Sequence, residues 1–156
     1  MIRPTVPTDL PALVALADRT GMFKPMEVEA LREVLVDYVE GKVASGHRTV
    51  TLEEDGKIRG LAYWAPAAMT DRTWYLYWIA VEKSDQAKGY GGQLLKHAEA
   101  EAKAAGARLM LIETSNMTHY EPTRRFYLKH HYEVGGIIKD YYADADDLVI
   151  FRKRLA

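Results

Sequence analysis

The segment from Trp74 to Ala105 constrains the fold of this chain more than any other part. It begins with an aromatic and β-branched run, Trp74 to Val81, whose composition is typical of a buried strand. It ends with a helix, because Leu94, Leu95 and Ala98 recur on one face at helical spacing. The turn between them is polar and rich in glycine. Its free backbone N–H groups, at the N-terminus of a helix, favour the binding of an anion.

Two common phosphate-binding motifs do not match this turn. A P-loop requires Lys and then Ser or Thr after its last glycine, whereas Gly91 is followed by Gly92 and Gln93. A dinucleotide fingerprint requires a third glycine at the position where Leu94 stands. An ordinary turn without a ligand is the alternative. The strand before the turn and the helix after it favour anion binding.

The turn does resemble a third motif. The run Gln86-Ala87-Lys88-Gly89-Tyr90-Gly91 resembles the Q/R-x-x-G-x-G/A signature of the GNAT superfamily of acetyl-CoA-dependent N-acetyltransferases. In that family the backbone amides of the signature hold the pyrophosphate of coenzyme A. Lys83 and Ala87 replace residues that are frequent in the family, Pro and Gly, at positions that do not define the signature. The resemblance implies that acetyl-CoA is bound by Gln86, Ala87, Lys88, Gly89, Tyr90, Gly91 and Gly92.

Composition excludes several other functions. The 156 residues predict one domain, 1–156. Cysteine is absent, so disulfides, Cys-bound zinc and a Cys nucleophile are excluded, and a reducing cytoplasm is the expected location. A net charge of −1 gives no electrostatic argument for nucleic acid. We see no secretory signal and no apolar run long enough for a membrane span, so no membrane partner is expected.

Hydrophobic periodicity predicts an α+β fold. Asp55-Gly56 is a strong signal for a two-residue hairpin turn. Short connections before Val81 favour an antiparallel meander, whereas the strand–helix–strand unit after Thr73 favours one parallel pairing. The predicted order is β-α-α-β-β-β-α-β-α-β-β, with strands at 2–3, 47–52, 57–64, 73–81, 109–114, 132–141 and 148–155, and helices at about 8–19, 25–40, 93–105 and 122–129.

This order is similar to that of the GNAT fold, so the resemblance covers nearly the whole chain. It implies an α/β/α sandwich around a mostly antiparallel sheet of about seven strands. In that family a bulge separates the fourth strand from the fifth, and the pantetheine arm lies in the gap. The resemblance therefore implies pantetheine contacts from Ile79, Ala80 and Val81, with the backbone of Ile79 and Val81 bonding its amides.

The stretch from Tyr120 to Tyr132 resembles a second family segment, N-x-x-A-x-x-L/F-Y-x-K-x-G-F/Y. Matching positions are Phe126, Tyr127, Lys129 and Tyr132. Departures are Tyr120 for Asn, Thr123 for Ala and His131 for Gly. Asn116 on the preceding loop is the candidate to replace the coenzyme contact of the missing Asn.

Tyr127 is the candidate general acid. Transfer of acetyl from a thioester to an amine expels a thiolate, and a phenol can donate a proton or a hydrogen bond to that sulfur. In the family the matching tyrosine lies beside the sulfur. The alternative is a packing residue on an amphipathic helix, which is our interpretation of the neighbouring Phe126.

Glu113 is the candidate general base. The attacking amine must be neutral, so a group must accept its proton. Glu113 ends the strand that lines the expected gap, and it matches a glutamate used as base in some protein N-terminal acetyltransferases. The alternatives are a solvated carboxylate or an ion pair with Arg124 or Arg125. Glu121 is a weaker candidate, because a carboxylate at a helix start is usually a cap.

The histidines and a set of aromatic and acidic side chains are the remaining candidates for a site. The five histidines lack ligand spacing, and adjacent His130 and His131 point in different directions on a helix, so no metal is expected. Aromatic side chains alternate across two strands, so one face of them must be core, and core is the interpretation for most. The other face, with a nearby acidic turn, would suit a cationic small molecule. These residues are Tyr63, Trp64, Tyr75, Tyr77, Trp78, Tyr141, Tyr142, Asp144, Asp146 and Asp147.

Three functional hypotheses follow. The first is an enzyme that passes acetyl directly from acetyl-CoA to a primary amine of a small molecule or peptide in a ternary complex, with strand-four N–H groups stabilising the oxyanion. The second is a non-catalytic acyl-CoA-binding sensor or interaction module of the same fold. The third is an unrelated α+β nucleotide binder. A homodimer is compatible with each of them.

Overall fold

The computed structural model describes residues 1–156. Three short 3-10 turns, at 7–9, 83–88 and 118–120, precede α1, α3 and α4. The order confirms the predicted fold class. Its elements are β1 (Ile2–Pro4), α1 (Leu10–Arg19), α2 (Pro25–Val39), β2 (Arg48–Glu54), β3 (Lys57–Pro66), β4 (Thr73–Val81), α3 (Tyr90–Ala104), β5 (Leu109–Ser115), α4 (Glu121–Lys129), β6 (Glu133–Ala143) and β7 (Asp146–Arg154).

All seven strands form one sheet, in the order β1-β2-β3-β4-β5-β7-β6. Only β4 and β5 run parallel, and the long connection through α3 joins them. The other neighbours are antiparallel. At the Asp55-Gly56 hairpin both residues have positive φ, 54° and 71°, as a tight primed turn requires.

The helices cover both faces of the sheet. Because side chains alternate along a strand, the central strands β3 and β4 contribute to two separate apolar clusters. One cluster joins α1 and α2 to residues such as Leu61, Tyr63 and Ala80. The other joins α3 and α4 to residues such as Leu76 and Val81. This arrangement confirms the predicted α/β/α sandwich.

The sheet opens between β4 and β5. The two strands pair only at Thr73, Trp74 and Tyr75, although both continue for several residues. Tyr77 has no counterpart on β3, because Trp78 pairs with Tyr63 and Leu76 with Trp64. Such a bulge bends its strand and increases the local twist. The gap predicted between the fourth and fifth strands is therefore present.

Two buried carboxylates are fixed by hydrogen bonds near the ends of helices and strands. Asp9 directly precedes α1, but its side chain makes no cap bond to that helix. It instead accepts bonds from Arg3 (2.7 Å) and from the N–H of Val6 (2.9 Å), and so fixes the first strand. Asp146 was interpreted as part of the acidic turn, but it begins β7 and is buried. None of the four helices has the length and apolar character needed to cross a membrane.

Candidate active site

A cavity of about 990 Å³ occupies the gap between β4 and β5 and is lined by residues from both faces of the sheet. Trp78 and Ala80 reach it from the α1–α2 face, whereas Ile79 and Val81 reach it from the α3–α4 face. We name its two parts the glycine end and the aromatic end. The glycine end is lined by Gln86, Ala87, Gly89, Gly91, Gly92, Gln93, Lys96, Phe126, Lys129 and His130. The aromatic end is lined by Phe23, Lys24, Tyr77, Trp78, Glu113, Ser115, Tyr120, Tyr142 and Asp146.

The glycine end contains an uncapped helix N-terminus. Gly89 has a left-handed conformation (φ 79°, ψ 11°) that turns the chain into α3, and no side chain caps the helix. The N–H of Gln93 donates to the carbonyl of Gly89 (3.2 Å). The N–H groups of residues 90–92 therefore have no acceptor within the helix. With Lys96 one turn further on, this end of the cavity suits an anion.

The buried carboxylate of Asp85 holds the glycine-rich turn in place. Asp85 lies between Arg59 (3.0 Å) and Lys88 (2.9 Å), and these cations lower the pKa of its carboxyl, Lys88 most strongly. Lys88 thus serves the turn and does not line the cavity, and neither does Tyr90. The sequence interpretation missed Lys96, although its spacing of four from Gly92 places both on one helical face.

The open edge of β4 presents backbone groups to the cavity. The N–H of Glu82 donates to the carbonyl of Arg59 on β3 (2.7 Å). Because successive residues of an antiparallel strand direct these groups to opposite sides, Ile79 and Val81 direct theirs away from β3, into the gap. Both residues line the cavity, as does Ala80.

Replacing Gly89 with Ala should destabilise the protein by about 1–2 kcal/mol, the cost of holding an L-residue in a left-handed conformation. An added Cβ would meet no atom within 4 Å, so the cost would be purely conformational. Thermal unfolding measures it. The matched control is Gly91→Ala, whose Cβ would lie 3.5 Å from the Phe126 ring, in ordinary contact. If both variants melted like the parent protein, backbone strain would not explain the glycine at 89.

Tyr127 is a buried residue of α4, only 3% exposed. Its ring packs against Phe126, Tyr132 and Phe151, with centroids 5.3, 5.8 and 5.8 Å away. Burial raises the pKa of its phenol well above the ordinary value, so the hydroxyl stays protonated. The Tyr127 hydroxyl makes no hydrogen bond to the protein. The only fully buried side-chain nitrogen or oxygen atoms that lack a hydrogen-bond partner are Arg59 Nε and Trp64 Nε1, so the Tyr127 oxygen is not fully buried. The Tyr127 oxygen therefore reaches the cavity that its side chain lines.

Glu113 lies on β5 beyond the last residue that pairs with β4. Its carboxylate has no ion pair in the protein, and desolvation raises its pKa. The suggested arginine partners are engaged elsewhere: Arg124 donates to the carbonyls of Ser115 (2.7 Å) and Met117 (2.9 Å), and Arg125 lies 3.8 Å from Glu121. Glu113 is therefore an uncompensated carboxylate at the aromatic end.

At the aromatic end, the loop between α1 and α2 contacts β4 and the residue that precedes α4. Phe23 and Trp78 meet edge to face at 5.4 Å, and the Tyr120 hydroxyl donates to the carbonyl of Met22 (3.1 Å). Of the three acidic residues proposed for an acceptor, only Asp146 lines the cavity. Of the predicted aromatic set, Tyr77, Trp78 and Tyr142 line it. Tyr63 is core, and its hydroxyl bonds His47 at 2.6 Å.

The structure does not bring Asn116 to the cavity. Its amide oxygen accepts a hydrogen bond from the N–H of Asp147 (2.8 Å), which fixes the loop after β5 to the start of β7. Thr123, by contrast, stands where the family has Ala and does line the cavity.

A mostly antiparallel seven-stranded sheet that opens between its two parallel strands places the protein in the class of N-acetyltransferases. The sequence profile of the family described as Acetyltransferase (GNAT) domain matches residues 45–134. The chain belongs to this family.

Solved structures agree with that assignment. A Desulfovibrio desulfuricans protein, assigned to the acetyltransferases of the GNAT family, is 32% identical, with 100% of this chain and 99% of that chain covered and a TM-score of 0.95. Two more distant structures are similar in fold. The ribosomal-protein-S18-alanine N-acetyltransferase of Escherichia coli is 19% identical (TM-score 0.81; 100% and 94% covered). An aminoglycoside 6'-N-acetyltransferase complexed with coenzyme A is 17% identical (TM-score 0.77; 100% and 97% covered). No match was found among curated proteins.

Proposed function

We propose that this enzyme transfers an acetyl group from acetyl-CoA to a primary amine of a small molecule or peptide, by direct attack in a ternary complex. The observation that carries the proposal is the cavity through the sheet, which has an anion-binding turn at one end and an uncompensated carboxylate at the other. Donor and acceptor can therefore meet in the gap from opposite faces.

The donor would occupy the glycine end. Its pyrophosphate would accept hydrogen bonds from the free N–H groups of residues 90–92, with Lys96 adding positive charge. Its pantetheine amides would bond the backbone of Ile79 and Val81, as an added strand does at an open sheet edge. The thioester would then lie in the gap, where Tyr127 reaches the cavity.

The reaction would proceed through one tetrahedral intermediate, which forms when the amine attacks and collapses when the C–S bond breaks. Glu113 accepts a proton from the acceptor ammonium, directly or through water, and the neutral amine attacks the thioester carbonyl. Backbone N–H groups on the open edge of β4 stabilise the oxyanion. The C–S bond then breaks, and Tyr127 donates a hydrogen bond to the departing sulfur. The second proton of the amine nitrogen passes through water to the thiolate, so the products are the amide and the thiol of coenzyme A. Because burial raises its pKa, Tyr127 would stabilise the thiolate and keep its own proton.

Two measurements test this proposal. Calorimetry should detect binding of acetyl-CoA and no comparable binding of ATP or NAD. Release of the coenzyme A thiol should then depend on an added amine, assayed over a panel of small amines, amino acids and peptides. Binding without thiol release from any amine would identify a non-catalytic sensor, whereas absence of acetyl-CoA binding would contradict both functions.

A further inference from the structure

Asp146 is a buried carboxylate at the aromatic end that the reaction described above does not use. Its side chain is 10% exposed and lines the cavity. The Ser115 hydroxyl donates to one of its oxygens at 2.5 Å. The other oxygen faces the ammonium of Lys24, which lies on the loop between α1 and α2. The protein's own primary ammonium group is therefore held at the aromatic end.

The contact between Lys24 and Asp146 is loose. The nitrogen–oxygen distance is 3.4 Å, whereas ammonium–carboxylate hydrogen bonds are usually about 2.7–2.9 Å. The Lys24 side chain is 49% exposed, so its ammonium can return to water at little cost. A competing ammonium from a ligand can therefore take its place on the buried carboxylate.

A second carboxylate faces the same space. Glu113 and Ser115 lie two residues apart on β5, so they share one face of the sheet at a separation of about 6.6 Å. Asp146 is bonded to Ser115, which places it beside Glu113 along that face. The rings of Tyr77, Trp78, Tyr120 and Tyr142 line the same end, and their faces attract ammonium groups.

We propose that the acceptor carries two ammonium groups. One is deprotonated near Glu113 and acetylated, while the other displaces Lys24 and pairs with Asp146. This inference rests on the proposed function and adds the substrate class. It also assigns Lys24 the role of an internal competitor that neutralises Asp146 until the acceptor arrives.

Straight-chain diamines test the inference. Thiol release is measured with α,ω-diaminoalkanes of three to eight carbons and with the 1-aminoalkanes of the same length. At the favoured length we expect kcat/KM for the diamine to exceed that of the monoamine by about ten-fold, equivalent to one good ion pair. No diamine preference at any length would overturn the inference, and thiol release with monoamines would still support the proposed function. Failure of every amine would instead contradict the proposed function.

Two substitutions should move this preference in opposite directions. Asp146→Asn should reduce the diamine-to-monoamine ratio of kcat/KM by about ten-fold, because the second ammonium loses its partner. Lys24→Met should lower KM for the diamine by about three-fold, because the competing ammonium is gone. A purely structural role for the pair would make both variants worse.

Asp144→Asn is the matched control. It removes the same charge from the neighbouring turn, but Asp144 does not line the cavity. We expect its diamine preference to equal that of the parent enzyme. If Asp144→Asn and Asp146→Asn reduced the preference equally, general attraction by negative charge would explain it and the specific site at Asp146 would be wrong. An increase in the diamine KM of Lys24→Met would also overturn the inference.

Discussion

Replacing Tyr127 with Phe should lower kcat by about 10²–10³-fold, the usual contribution of a positioned proton or hydrogen-bond donor. The ring packs among three other aromatic residues and would remain in place, so only the hydroxyl is lost. The Kd of acetyl-CoA should change by less than about two-fold, because the proposed pyrophosphate and pantetheine contacts, which hold most of the donor, do not involve Tyr127. Steady-state thiol release and calorimetry measure the two quantities.

Tyr141→Phe is the control for that experiment. Tyr141 is exposed on β6 and lies outside the cavity. It should therefore keep full turnover and full coenzyme binding. If the Tyr127→Phe enzyme kept the turnover of its parent with a good acceptor, the departing sulfur would need another donor and Tyr127 would be a packing residue.

Replacing Glu113 with Gln should lower kcat/KM at neutral pH by about 10²-fold, because the attacking amine loses its proton acceptor. The parent enzyme should lose activity as the pH falls, since a protonated Glu113 cannot act as base. Desolvation raises the pKa of this carboxyl, so the acidic limb should lie above the pH at which an ordinary glutamate titrates. The variant should lack this limb.

The matched control is Glu121→Gln. Glu121 begins α4 and lies outside the cavity, so its replacement should keep the activity and the pH profile of the parent enzyme. An acidic limb that persisted in Glu113→Gln would assign the proton acceptor to another group, and one that disappeared in Glu121→Gln would assign it to the weaker candidate.

The same Glu113 variant should be more stable than its parent at neutral pH. The folded-state pKa of Glu113 is raised, so its ionised form destabilises the native state at pH values above that pKa. Glutamine removes this unfavourable charge. As the pH falls below the ordinary glutamate pKa, the carboxyl is protonated in both states and the gain in Tm should vanish. Thermal unfolding across this pH range checks the sign.

Local patterns predicted the fold well, because alternation and turn chemistry are properties of neighbouring residues. Asp55-Gly56 adopted the turn that its sequence demands, and the strand–turn–helix around Gly89 formed where expected. The site was less predictable because long-range partners decide where a side chain points. Lys88 belongs to the signature, yet its ammonium pairs with the buried carboxylate of Asp85, which Arg59 also contacts.

Asp146 shows the same limit. From the sequence, Asp144, Asp146 and Asp147 were equally good candidates for binding a cationic acceptor. A hydrogen bond from Ser115, 31 residues earlier, holds only Asp146 at the cavity. Asn116 was expected to face the coenzyme, but Asp147 of the returning strand takes its amide oxygen. Both side-chain positions depend on the pairing of β5 with β7, and patterns among neighbouring residues do not predict which strands pair.

The short contact between β4 and β5 has a mechanical consequence. Only three residue pairs join a four-stranded block to a three-stranded block, so the sheet has a seam through its centre. Backbone amides along that seam, at Ile79 and Val81, should exchange hydrogen with solvent faster than their neighbours on β3. A donor bound in the gap would form hydrogen bonds with these backbone groups on the open edge of β4, and it would therefore slow their exchange. The substrate would then complete the secondary structure of its own enzyme.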